Sequence, residues 1–460
     1  MAIQDLFRTK PLYQRPPRGE SLQPCLNALD LTLFGIGAII GAGVFVLTGV
    51  VAATTAGPAV VFSYFMAGLA SMFAALSYAE LAASIGGCGS AYNYAYIGFG
   101  ELIAWLIGWN LIFEYGLSVS TVAIGWSGYV NDVLIALHIH LPLSLAQGPY
   151  LGGTVNILAV LIVAILTALL CIGVRESARF NAIIVFIKLL TIAAFLAIAV
   201  THIQSRYWVP FFPFGWSGVM EGAALVFFAY IGFDALSTAA EETVQPQRNI
   251  PIGIIVSMVV CTLLYIVVAI CLTGIVSYKT LNVSSPVAAA LLQLNHPLAA
   301  GLIGAGAIAG LTTVMLVMFY GLTRIFLAIS RDGLLPTVFA KIHPRTRTPV
   351  PIIIVSGLII AFFAGLMPIH RAAELVNIGT LTAFTLVCSG VIVLRRTQPD
   401  LPRPFKLPWN PLIPGLGVIF CLYLMANLPS ITWWRFLIWL ILGLIIYFAY
   451  SKKHSILQKS

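Results

Sequence analysis

Apolar residues fill the chain in long runs separated by short polar segments. Twelve runs, 29–50, 58–82, 101–125, 155–173, 180–201, 219–240, 252–275, 298–329, 350–366, 374–394, 413–429 and 434–451, come close to the length a bilayer-crossing helix needs, roughly 20 residues. The pattern predicts an all-α membrane protein of twelve transmembrane helices. The runs leave no room for a separate soluble domain. Composition agrees: of 460 residues 60% are hydrophobic and 8% charged, against about 25% charged in soluble proteins.

Two runs are interrupted. The first reads Gly35-Ile36-Gly37-Ala38-Ile39-Ile40-Gly41-Ala42-Gly43-Val44-Phe45. Four glycines in nine residues oppose a continuous helix, each costing about 1 kcal/mol relative to alanine. Backbone groups freed at membrane depth survive only where protein or a cavity satisfies them. An amino acid zwitterion would do so, its carboxylate on the N–H groups that open a half-helix and its ammonium on freed carbonyls. Helix packing through Gly37-x-x-x-Gly41 reads the same segment without any ligand. The sixth run, Phe227-Phe228-Ala229-Tyr230-Ile231-Gly232-Phe233-Asp234, also carries a glycine and an acid inside an apolar span. Interrupted spans at matching positions of two halves are the strongest sequence pointer to a transporter site. The expected organisation is a cytosolic arm (1–28), a five-helix unit (29–201), a second five-helix unit (219–394), two further helices (413–451) and a tail (452–460). An odd helix number per unit inverts the second against the first.

Three ionisable residues fall deep in the runs. Lys188 lies nine residues beyond Arg179, about 13 Å of helix rise, and Glu114 thirteen beyond Glu101, about 20 Å. Asp234 sits seven before Glu241. Intramembrane charges are costly and mark ion or proton pathways, so these three are the candidates for proton coupling. A static, charge-compensated cluster is the structural alternative.

The net charge of +9 reflects topology. With the N-terminus inside, 18 of the 24 basic residues fall on the inner side and 4, Arg206, Lys279, Arg371 and Arg435, on the outer side, with Lys188 and Arg324 inside helices. This skew places both termini in the cytosol of a multi-pass cell-membrane protein and removes the case for nucleic acid. The first 28 residues lack an apolar core, so no cleaved signal is expected. Seven scattered cysteines have no metal or redox spacing, and His138 and His140 in the expected outer loop 126–154 have no sulfur or acidic partner nearby. No cofactor is implied. A membrane enzyme would need a nucleophile, metal or phosphate motif, and none is legible. A non-transporting amino acid sensor remains an alternative that lacks a signalling domain.

The segment from Asp30-Leu31-Thr32 through Gly49 resembles the first helix of the amino acid–polyamine–organocation superfamily. Tyr230-Ile231-Gly232-Phe233-Asp234, Glu241-Glu242, Gln247-Arg248-Asn249-Ile250-Pro251, Gly89-Ser90-Ala91-Tyr92 and Ser330-Arg331-Asp332-Gly333-Leu334-Leu335-Pro336 resemble its cationic amino acid transporter branch. The likeness runs over nearly the whole chain and fits the short bacterial members. It implies a LeuT-like 5+5 inverted repeat with helices one and six broken, working by alternating access. By the same resemblance the substrate carboxylate meets the N–H groups of Ala42 and Gly43. The ammonium meets carbonyls of Ile39, Phe228, Ala229 and Ile231, and Phe228 gates the pocket. Ala42 departs from the Ser or Thr common there, leaving only backbone donors. Lys188 matches the lysine that fills the sodium position in proton-coupled relatives, which implies proton coupling without sodium. The branch name points to arginine or lysine, whereas short bacterial relatives carry neutral substrates. Met318 either lines the pocket and favours apolar side chains or packs the core. The expected ligand is a small neutral L-amino acid such as alanine. Membrane lipid would be the other partner, and a small single-helix membrane protein could pack on the surface.

Overall fold

The computed structural model describes residues 7–11, 22–41, 43–149, 152–283, 285–367, 369–426, 428 and 430–459. Helices account for nearly all of its regular structure. They are α1 (Ala28–Ile39), α2 (Val60–Ile85), α3 (Ala91–Gly98), α4 (Glu101–Ala136), α5 (Ile157–Ile172), α6 (Val174–Val200) and α7 (Gly215–Val226), then α8 (Pro246–Ile275), α9 (Pro286–Gln293), α10 (Pro297–Arg331), α11 (Val350–Leu366), α12 (Ile369–Thr397), α13 (Leu412–Ala426) and α14 (Ser430–Ile446). Among the described residues the only β pairing is an isolated parallel bridge, Leu26 with Thr243. Among the described residues eight helical stretches are long and apolar enough to cross a membrane, the first running 58 residues from Ala28 to Ile85, and α5, α11 and α13 are shorter apolar helices. The protein is an all-α, multi-spanning membrane protein.

Local signals set the helix ends. Asn27 accepts from Leu29 N at 2.8 Å and Asp30 N at 3.0 Å, while Asp30 accepts from Asn27 N at 3.0 Å. This reciprocal cap fixes where α1 begins. Asn156 caps α5 through Ala159 N at 3.1 Å. The segment 126–136, expected in a loop, instead continues α4, because no proline interrupts the chain between Glu101 and Pro142. The short helix expected around Pro286–Leu294 is α9.

Two helices lose their regular geometry at mid-length. α1 stops at Ile39, Ile40 is extended (φ −75°, ψ 98°), and helical backbone resumes at Gly43–Leu47 in a wide turn before Thr48–Val51. α7 stops at Val226 and tightens into Phe227–Tyr230. The chain then passes through extended Ile231 (φ −65°, ψ 138°) and Gly232 (φ +118°) into a second tight helical segment, Phe233–Glu242. A positive φ of this size suits only glycine, and a Cβ on Gly232 would also lie 3.0 Å from Ala38 Cβ. The interrupted helices are enclosed: α8 packs along α1 and α2, and α10 along α4 and α6.

Candidate substrate and coupling site

Interruption frees carbonyls, and the structure accounts for them individually. The Tyr265 hydroxyl of α8 lies 2.6 Å from Ile39 O and 3.0 Å from Ala229 O. One proton thus serves two acceptors, one from each interrupted helix. Tyr64 of α2 donates to Gly43 O at 2.8 Å, and Tyr230 donates to Tyr64 O at 2.9 Å. The rings of Tyr64 and Tyr230 sit 5.2 and 5.4 Å from that of Tyr265. Gly43 is the point of closest approach: a Cβ there would fall 2.3 Å from Ala229 Cβ and 2.9 Å from Ala229 Cα. The missing side chain makes room for the other helix.

A cavity of about 30 Å³ opens between the interrupted segments. Ile39, Gly43, Phe228, Ala229, Ile231 and Met318 all line it. Ala42 lies outside the described residues. Ser118 and Val122 of α4 and Val314 of α10 also line it and were not anticipated. Ser118 and Val122 are four apart, so they share a helix face, but nothing in sequence says which neighbour that face meets. The Ser118 hydroxyl is buried without a partner among the described residues. Among the described residues no titratable side chain contributes to the lining.

Lys188 lies beside this cavity, on α6, fully buried. Its ammonium donates to Ile40 O at 2.8 Å, Gly37 O at 3.3 Å and Thr313 Oγ1 at 2.8 Å. Thr313 of α10 in turn lies 3.0 Å from Gly37 O and 2.9 Å from Gly310 O as donor. The cation therefore occupies an oxygen cradle that exists because α1 ends at Ile39. Glu114 and Asp234 form a different cluster. Tyr115 donates to Asp234 Oδ2, and Thr380 of α12 donates to Glu114 Oε1 at 2.5 Å. Among the described residues Glu114 Oε2, Asp234 Oδ1 and the Tyr78 hydroxyl are buried without partners. Among the described residues, hydroxyls and carbonyls rather than opposite charges hold all three ionisable groups.

The sequence profile of the family described as Amino acid permease matches residues 26–448. The chain belongs to the amino acid permease family. The permease is a secondary-active transporter of the amino acid–polyamine–organocation superfamily and not an enzyme. It is 50% identical to the branched-chain amino acid permease BcaP of Bacillus subtilis (strain 168), over 96% of each chain. It is 46% identical to the methylthioribose transporter of the same organism, over 99% of this chain and 100% of that one. Human cationic amino acid transporter 4 is 31% identical, over 98% of this chain and 91% of the human one.

One end of the permease is tied by charge. Arg324 of α10 holds Glu242 in a two-pronged pair, Nη2 to Oε1 at 2.8 Å and Nε to Oε2 at 3.1 Å, with both side chains buried and Tyr320 donating to the same carboxylate. The Glu242 carbonyl accepts from Cys25 N at 2.8 Å and Leu26 N at 2.9 Å, which fastens the residues just ahead of α1 against the end of the second interrupted segment. Arg331 pairs with Glu241 at 2.8 Å and Lys10 with Asp332 at 2.5 Å. Sequence reasoning noted Arg324 as a helix-embedded charge but had no means of naming its partner 82 residues away.

Proposed function

We propose that the permease couples the uptake of small neutral L-amino acids, alanine foremost, to protons by alternating access. The observation that carries this reading is the cavity between the two interrupted helices. Among the described residues it presents backbone, apolar side chains and the single hydroxyl of Ser118, offers no carboxylate to a cationic side chain, and is narrow. The substrate ammonium would take the carbonyls of Ile39, Phe228, Ala229 and Ile231. Each carbonyl has two lone pairs, so Tyr265 leaves the Ile39 and Ala229 oxygens room for a second donor. The carboxylate would meet the N–H groups of Ala42 and Gly43, where helical backbone resumes, with the helix dipole in its favour. Phe228 would close over the ligand, and Met318 would bound its side chain.

Lys188 fills with its own ammonium a cradle of carbonyls and hydroxyl suited to a hard cation, which favours protons over sodium as the coupling ion. Glu114 and Asp234 are the accompanying candidates for proton exchange. In this reading the twelve spans form a LeuT-like 5+5 inverted repeat, 29–201 and 219–394, followed by two helices, with both termini cytosolic.

The test is uptake into proteoliposomes of alanine, leucine, arginine and methylthioribose, each with and without an inward proton gradient. Alanine uptake that rises with the gradient and ignores sodium is expected. Arginine as the preferred substrate would overturn the neutral assignment, and indifference to the gradient would overturn proton coupling.

A further inference from the structure

At the ends of α6 and α10 remote from the Glu242–Arg324 pair, two histidines face each other. His202 follows α6 by two residues, and His296 is the residue that caps the start of α10. Their ring centroids are 5.4 Å apart, with planes at 80°. Both are partly exposed. His202 Nδ1 lies 2.9 Å from Ile198 O and 2.9 Å from Thr201 Oγ1, and Thr201 Oγ1 itself donates to Ile198 O at 2.7 Å. A carbonyl can only accept, so the contact with Ile198 O puts the proton on Nδ1 and the free lone pair on Nε2. Holding one ring nitrogen on a backbone carbonyl is how proteins orient a histidine for metal.

The spacing fits a shared ion. With a zinc–nitrogen bond of about 2.0–2.1 Å, a ring centre about 1.1 Å beyond each nitrogen and a near-tetrahedral angle, two imidazoles on one zinc have centroids about 5.2 Å apart. We propose that His202 and His296 form a two-imidazole site for a divalent transition ion such as Zn²⁺, with water completing the coordination. Imidazole suits zinc, copper and nickel. Among the described residues no third histidine, cysteine or acid joins them. The ion is therefore a modulator that comes and goes, and not a structural centre. Bound there, it ties the outer end of α6 to that of α10. These are the two helices joined at mid-length by Lys188 and Thr313, so occupancy resists any movement between them and slows transport. Metal binding rests on the histidine geometry alone; inhibition rests also on the transport reading above.

The experiment uses full-length protein carrying no oligohistidine tag. Zinc binding is followed by calorimetry and by thermal shift, and inhibition by external zinc during alanine uptake. His202→Ala and His296→Ala are compared with a His138→Gln/His140→Gln control. The wild type and the control are expected to bind one ion and to lose uptake as zinc rises. Each alanine variant should transport normally while its apparent zinc affinity falls about tenfold or more. Equal zinc affinity in wild type and His202→Ala, or loss of binding only in the control, would overturn the site. Binding without inhibition would overturn the clamp. A protein that transports nothing still answers the binding question by calorimetry, which separates failure of the site from failure of the transport reading.

Discussion

Replacing Tyr265 with phenylalanine probes the joint between the two interrupted helices. The ring stays, so packing against Tyr64 and Tyr230 is kept. What goes is one proton shared between Ile39 O at 2.6 Å and Ala229 O at 3.0 Å. Because a hydroxyl donates one proton, the loss is one hydrogen bond and not two. A buried acceptor left without its donor costs about 1–3 kcal/mol. The apo protein should therefore melt several degrees lower. Unfolding can be followed with a thiol-reactive dye, since Cys88, Cys261, Cys271, Cys388 and Cys421 are buried. With the substrate ammonium placed as proposed, on the same carbonyls, saturating substrate should recover part of the loss; the substrate-induced rise in melting temperature is then larger in the variant than in wild type. Tyr230→Phe is the control. Its hydroxyl serves Tyr64 O, so that variant should lose stability without changing the substrate increment. An unchanged melting temperature in Tyr265→Phe would refute the claim that the hydroxyl satisfies these carbonyls. An equal loss with and without substrate would refute the placement of the ammonium.

Other substitutions test the remaining joints. Lys188→Met keeps the length of the side chain and removes its charge, so gradient-driven uptake should vanish while exchange of labelled for unlabelled substrate persists; gradient-driven uptake at the wild-type rate would return Lys188 to a structural role. Gly43→Ala pushes a methyl into Ala229 and should cost about 1–3 kcal/mol of stability, together with substrate binding measured by thermal shift. Arg324→Met strands the buried Glu242 carboxylate and should destabilise by about 3–5 kcal/mol, while Arg324→Met with Glu242→Met should regain most of it; equal melting of single and double variants would deny the pairing. Cys25, half-buried ahead of α1, has its thiol pushed up to about 11, first by burial and then by the Glu242 carboxylate. Since the thiolate is the reactive form, its alkylation at pH 8 should run roughly a hundredfold slower than that of a free thiol and accelerate as pH rises toward that value.

Much of this architecture is legible in one dimension because a bilayer imposes a one-dimensional constraint. Each span must be apolar over a set length and must satisfy its own backbone, so run lengths disclose an all-α, multi-spanning protein; the described residues give eight long and three shorter apolar helices against twelve runs in the sequence. Glycine is equally plain: four in nine residues between 35 and 43, and Gly232 inside the sixth run, mark where helical geometry is given up. The cost of burying charge makes Lys188, Glu114 and Asp234 conspicuous against their apolar neighbours. Partners are a different matter. Tyr265 reads as one more aromatic in a membrane helix until folding sets its hydroxyl between Ile39 and Ala229. Thr313, Ser118 and Val122 carry no signal at all, since a small residue on a helix face says nothing about which helix it will meet. Gly43 was conspicuous from the start, yet only the folded chain reveals that its absent side chain makes way for Ala229. Composition and spacing determined how many apolar segments there are, where two of them falter and which charges are out of place. Tertiary structure decided which freed carbonyl each hydroxyl and ammonium answers, because those pairings join residues up to 276 positions apart and depend on how helices pack, which no local pattern encodes.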